Sequence, residues 1–203
     1  MKKNWVIIRK RWQRYRDYLL PLPGYRKVTF AHLGANVKID FTVEVDGAKH
    51  MHLGDRVKVF SYTWLNIVKT PEDGDGREVK ITVGDGSVIS RRVIISASRF
   101  VTIGKDVFIA PNVMILDTDH AYEDISIPIG LQGFSSKGGI EIGDGCWIAY
   151  NAVILGGVTV GKQSVVGANS VVTKDIPPFS VAVGNPAQVI KTYDFSRKEW
   201  IRV

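Results

Sequence analysis

Residues 142–176 decide the fold: IGDGCWIAYNAVILGGVTVGKQSVVGANSVVTKDI. In this stretch Ile142, Ile148, Ile154, Val160, Val166 and Val172 recur every six residues. The next residue is small at Gly143, Ala149, Gly161 and Gly167, against Leu155 and Thr173. The fifth position of each hexad holds Cys146, Ala152, Val158, Ser164, Ser170 and Ile176, which are mostly small. An extended chain buries alternate side chains. If it turns a corner every six residues, one aliphatic side chain per hexad points at a common axis. Three hexads then close a triangular coil of about 18 residues, and stacked coils form parallel strands with aliphatic columns inside. Each buried aliphatic side chain contributes roughly 1.5–3 kcal/mol. Small residues suit the crowded corners. A heptad helix cannot give a period of six, and glycine would break it. An alternating sandwich does not need an aliphatic residue at every sixth position.

Outward from this stretch the same frame returns. Ile103, Ile109 and Ile115 are six apart, as are Val83, Ile89 and Ile95. Leu53, Val59 and Leu65 form another trio, and Leu33 and Ile39 a weaker start. The phase slips twice. Residues 70–80, TPEDGDGREVK, read as an exposed acidic insertion. Residues 117–139, DTDHAYEDISIPIGLQGFSSKGG, read as a loop extruded from the repeat, where function tends to reside. The expected class is all-β.

The N-terminus has a different texture. Seven Lys or Arg lie in the first sixteen residues, and Trp5, Ile8, Trp12, Tyr15 and Leu19 follow helical spacing. An amphipathic helix is expected from residue 1 to about residue 20, ended by Pro21, Pro23 and Gly24, so that helix and connection together span 1–24. Two readings stand for it: a cap on the core, or a helix lying on an anionic membrane surface through residues 1–20. The expected division is this N-terminal segment, a repeat domain over 25–187 and a tail over 188–203.

The 203 residues carry a net charge of +7, which suits a phosphate-rich cofactor, a membrane surface or nucleic acid. No recognised nucleic-acid motif accompanies it, so nucleic acid is not an expected partner. Cys146 is the lone cysteine, so no intrachain disulfide forms, and no Cys/His cluster suggests zinc. No apolar run approaches the roughly 20 residues of a spanning helix, and no signal peptide is evident. A cytoplasmic location is expected, at the inner face of the membrane if the N-terminal helix lies there.

The hexads, the DTDHAY segment, the IGDGCWIA strand and the ending VVTKDIPPFSVAVGNPAQVIK together resemble the hexapeptide-repeat acetyltransferases. The galactoside and maltose acetyltransferases and the O-acetyltransferases of bacterial surface polysaccharides are the most similar types. The resemblance is strong over residues 81–191. It implies a left-handed parallel β-helix, a feature that six-residue spacing does not set. It also implies an acetyl-CoA-dependent transfer to a sugar or glycan hydroxyl, without metal, in a homotrimer whose sites form between subunits.

His120 matches the family's catalytic histidine. A sugar hydroxyl is a poor nucleophile until a base removes its proton, and a neutral imidazole does this near neutral pH. The backbone N–H of Tyr150 matches the family's donor to the tetrahedral oxyanion. Trp147, Ala149, Ala168, Thr173, Lys174 and Lys191 match positions along the coenzyme A groove. Asn185, Pro186 and Ala187 would close the last turn beside the adenine. Gln188 stands where galactoside enzymes carry arginine. Ser90 stands where they carry an acceptor-binding asparagine, and Arg91 and Arg92 follow it. This departure points to an acidic or larger acceptor, contacted by Ser90 and Arg92. Asp117 and Asp119 flank the histidine as acceptor contacts or plain loop residues. Alternation puts Asp119 and His120 on opposite sides, which favours a backbone carbonyl as the group orienting the imidazole.

Other readings remain open. Amino-sugar N-acetylation and acetylation of antibiotics use comparable scaffolds. A γ-class carbonic anhydrase needs three histidines on a metal, and His32, His50 and His52 all lie far upstream of His120. A non-catalytic β-helix scaffold would have no need of His120 or the Trp147 strand.

Overall fold

The computed structural model describes residues 5–9, 25–68 and 76–203. From His32 onward the chain winds as a coil with three flat faces. The first face holds His32–Leu33, Met51–Leu53, Ile81–Val83, Val101–Ile103, Ile140–Ile142 and Thr159–Val160. The second holds Lys38–Ile39, Lys58–Val59, Val88–Ile89, Phe108–Ile109, Trp147–Ile148 and Val165–Val166, and then continues with Ser180–Gly184, Ala187–Asp194 and Glu199–Arg202. The third holds Glu44–Asp46, Trp64–Ile67, Ile94–Ala97, Met114–Leu116, Val153–Leu155 and Val171–Val172. Consecutive coils pair in parallel, residue on residue, as in Ile109 opposite Ile148 and Ile115 opposite Ile154. The result is the coil of stacked parallel strands that the hexads predicted, the left-handed parallel β-helix that the resemblance implied.

The six-residue period becomes three internal columns. Leu53, Val83, Ile103, Ile142 and Val160 stack behind the first face. Ile89, Ile109, Ile148 and Val166 stack behind the second, and Leu65, Ile95, Ile115, Ile154 and Val172 behind the third. All are almost completely buried. The crowding expected at the corners is present. A Cβ on Gly84 would lie 2.6 Å from the carbonyl carbon and oxygen of Gly104 in the next coil.

The corner between the second and third faces turns through a left-handed residue in every coil after the first: Tyr62, Arg92, Asn112, Asn151 and Asn169. Asparagine tolerates that conformation better than most side chains do, which accounts for three of the five. The third-to-first corner is less regular. It carries the extra residues Ser98 and Arg99, and then the whole of 117–139.

Two expectations change at the ends. Trp5–Arg9 is a strand paired antiparallel with Tyr25–Thr29, which corrects the N-terminal helix over those residues. Their sequence, WVIIR, is rich in aromatic and β-branched types that favour a strand beside a partner. The remainder of the expected helix lies outside the described residues. At the other end, residues 188–203 continue the second face, because Ala187–Asp194 folds back on Ser180–Gly184 and Glu199–Arg202 adds to its edge. Tyr193, Phe195, Trp200 and Phe179 meet edge to face there, with centroids 4.9–5.5 Å apart.

Candidate active site

The extruded loop leaves the coil at Asp117. This side chain is buried, and its carboxylate accepts hydrogen bonds from the backbone N–H of Ser98 at 2.6 Å and of Arg99 at 2.8 Å. The hydroxyls of Ser98 and Thr118 donate to it as well. Burial pushes the Asp117 carboxyl above the usual carboxylate range, and these hydrogen bonds pull against that shift. The two extra residues at this corner thus have their N–H groups satisfied by the residue that opens the loop. Lys80 reinforces the same point by donating from Nζ to the Ser98 carbonyl at 2.7 Å.

Three residues on, the loop is pinned at its neck. Asp119 pairs with Ser135 and His120 with Phe134 in a short antiparallel ladder, and the Ala121 N–H donates to the Gly133 carbonyl. Asp119 and His120 are both exposed. The imidazole lies against the Phe134 ring, centroids 4.8 Å apart and tilted 35°. A backbone carbonyl was the expected orienter. Among the described residues no hydrogen bond reaches the His120 ring, and the flanking group is aromatic. Phe134 is the residue that sequence reasoning missed. Its signal was one aromatic residue in the otherwise polar return GFSSKGG. Beyond the neck, Gln132 Nε2 donates to the carbonyls of Asp124 and Ile127, both at 2.7 Å, so the loop carries its own bracing.

The second set of candidates lies elsewhere on the coil. Trp147 is half exposed on the second face, between Phe108 and Val165. Lys191 reaches the same face through the terminal hairpin, opposite Val181. Ala149, Tyr150 and Ala168 follow at the second-to-third corner. Ala149 is buried, and its N–H is taken by Val166. The Tyr150 N–H, by contrast, donates to no group among the described residues. The ring hydroxyl of Tyr150 accepts from Asn112 Nδ2 at 2.7 Å. Ser90, Arg91 and Arg92 stand at this same corner, and with Tyr150 they border a cleft of about 480 Å³.

The candidates therefore fall into two groups. Ser90, Arg92, Ala149, Tyr150 and Ala168, with Trp147 and Lys191 close by, belong to the second face and its far corner. Asp117, Asp119, His120, Thr173 and Lys174 belong to the third-to-first corner. The third face separates the two groups within one chain. Among the described residues no group of three or more His, Cys, Asp or Glu could hold a metal ion. No helix there is long and apolar enough to cross a membrane.

Residues 139–174 match the family model described as bacterial transferase hexapeptide (six repeats). Over these residues the chain carries the hexapeptide repeat of that family. Among curated proteins this hexapeptide-repeat chain is similar to a probable acetyltransferase of Mycobacterium tuberculosis. The two are 31% identical over 195 residues, which is 95% of this chain and 59% of that protein. The chain thus spans a little under three fifths of that relative's length. Among solved structures it is similar to a hexapeptide-repeat acetyltransferase of Vibrio cholerae complexed with acetyl coenzyme A. That match has 27% identity and a TM-score of 0.58, and covers 80% of this chain and 71% of the other. A maltose O-acetyltransferase of Clostridium difficile is similar at 28% identity and a TM-score of 0.53, covering 81% and 71% of the two chains.

Proposed function

We propose that this hexapeptide-repeat protein is an acetyl-CoA-dependent acetyltransferase acting on a sugar hydroxyl, with surface polysaccharide biosynthesis as its setting. The observation that carries the reading is the placement of His120. It is exposed, set at the neck of a braced loop and backed by Phe134, while the Tyr150 backbone N–H has no partner among the described residues. These are the two groups that direct acyl transfer needs: a base for the hydroxyl and a donor for the oxyanion.

In this mechanism an imidazole nitrogen of His120 takes the proton of the acceptor hydroxyl as its oxygen attacks the thioester carbonyl. The Tyr150 N–H donates to the oxygen of the tetrahedral intermediate. Collapse breaks the carbon–sulfur bond, and the departing thiolate takes the proton back from the imidazolium. The acetyl ester and free coenzyme A are the products, and no acyl-enzyme forms. Trp147, Ala149 and Ala168 would border the pantetheine arm. Thr173, Lys174 and Lys191 would meet the cofactor's polar end, the lysines acting as point charges. Asp117, with its oxygens already engaged, braces the loop, whereas exposed Asp119 remains available to the acceptor.

The separation of the two groups across the third face supports a homotrimer in which His120 of one protomer faces the Trp147–Tyr150 edge of the next. The loop's exposed apolar side chains, among them Ile125, Leu131 and Tyr122, fit a place against a neighbour.

The test is thiol release from acetyl-CoA by the purified full chain, offered a panel of mono- and oligosaccharides. His120→Ala should lower kcat at least about 100-fold, the range for a lost general base. Turnover equal to wild type in that variant would rule the mechanism out.

A further inference from the structure

The cleft at the second-to-third corner carries charge that the transfer chemistry does not use. Phe60, Phe108 and Tyr150 line it together with Ser90, Arg91 and Arg92. Both arginines are exposed, and neither guanidinium has an ion-pair or hydrogen-bond partner among the described residues. No Asp or Glu lines the cleft. Two adjacent cations without an acid repel each other, and an anion between them relieves that repulsion.

The volume, about 480 Å³, lies within the range of small-molecule sites, and the aromatic side chains offer apolar area beside the charge.

We propose that this cleft is the acceptor subsite and that the acceptor is an anionic sugar. The apolar face of its ring would lie along Phe60, Phe108 and Tyr150. Its carboxylate or phosphate would be gripped by Arg91 and Arg92, whose planar forks match either group. The inference rests on the transferase reading for the word acceptor, since Tyr150 belongs both to the cleft and to the proposed oxyanion donor. The selectivity for charge follows from the cleft alone.

The experiment titrates the full chain with glucuronic acid, glucose 1-phosphate and glucose, and measures thiol release from acetyl-CoA with each. At least one anionic probe should bind about tenfold tighter than glucose, a gap of roughly 1.4 kcal/mol. The ranking of glucuronic acid against glucose 1-phosphate identifies the charged group. In Arg91→Gln/Arg92→Gln the preference should fall below about threefold, with the thermal transition as the control for folding. Raising the salt concentration should narrow the wild-type gap, because the arginines are exposed. Equal binding of all three probes, no binding of either anion, or a preference that survives the double substitution would each overturn the proposal. Anion-selective binding without acetyl-CoA consumption would leave the subsite standing and remove the transferase reading instead.

Discussion

The imidazole of His120 rests on the ring of Phe134, 4.8 Å between centroids and tilted 35°, across the two-residue ladder that closes the loop's neck. No hydrogen bond among the described residues fixes the imidazole, so its direction depends on this face contact. Phe134→Ala should leave the loop attached, because Asp117 and the Ala121–Gly133 hydrogen bond remain. It should free the imidazole to turn. The expected result is a fall in kcat of about tenfold with KM for acetyl-CoA unchanged, as small misplacements of a reacting group cost rate rather than binding. Steady-state thiol release checks this, and an unchanged kcat would mean that the ring contact positions nothing.

Asp117 links loop and coil by a different means, and its signature is a pH dependence. Burial holds its carboxyl above the ordinary carboxylate range despite the hydrogen bonds it accepts. The folded chain therefore keeps this proton to higher pH than the unfolded chain does. The stability gained from that proton is complete below the unfolded pKa and is lost as pH rises through the folded one. Asp117→Asn removes the titration. Measured by denaturant unfolding from about pH 3 to about pH 8, the stability of wild type relative to the variant should decline with rising pH across that window. A difference that does not vary with pH would show that the carboxyl does not titrate with a raised pKa.

Much of this architecture was legible from residue types alone, and the reason is geometric. Ile142, Ile148 and Ile154 mark three faces because a side chain at every sixth position of an extended, cornered chain has one place to go. Gly84 and Gly104 mark a corner because stacked backbones leave no room for a Cβ. The loop was visible as a loss of period between Ile115 and Ile142. Residues without a periodic signature escaped. Trp5–Arg9 fits a helical stripe as well as a strand, and only the presence of Tyr25–Thr29 as a partner decides between them. Phe134 stands fourteen residues after His120 in a stretch without repeat, so their meeting depends on where the loop turns back. Asp117 resembled a ligand-binding carboxylate beside a histidine. Its engagement by Ser98 and Arg99 depends on an extra pair of residues one coil earlier, which no local pattern announces.

The crowding at the corners gives a stability prediction with an internal control. In Gly84→Ala the added methyl group would meet the backbone of Gly104 at 2.6 Å and of Lys105 at 2.8 Å, neither of which can rotate away. At Gly130, in the extruded loop, an added Cβ meets nothing within 4 Å. Gly84→Ala should destabilise by roughly 1–3 kcal/mol, the usual cost of overpacking. Gly130→Ala should stay within about 0.5 kcal/mol of wild type. Thermal melts of the two variants side by side check the pair, and equal melting temperatures would refute the account of the corner.

The sharpest prediction concerns the Tyr150 N–H, and the coil itself supplies the variant. Ala110–Pro111–Asn112 lies one coil below Ala149–Tyr150–Asn151, in register through Ile109 and Ile148. Proline is therefore accommodated at this corner with the same neighbours on either side. Tyr150→Pro should fold and should lose only the N–H and the phenol ring, while Tyr150→Ala loses the ring alone. If the N–H stabilises the oxyanion, kcat should fall about 100- to 1,000-fold in Tyr150→Pro relative to Tyr150→Ala. Coexpression then asks which protomers build the site. A His120→Ala protomer keeps the donor and a Tyr150→Pro protomer keeps the base. If each site joins the base of one protomer to the donor of the next, random mixing completes about a quarter of the sites, and activity returns from two inactive variants. If both groups act within one chain, the mixture stays as inactive as its components. That second outcome would refute the shared site, whereas a Tyr150→Pro variant as fast as Tyr150→Ala would refute the backbone donor.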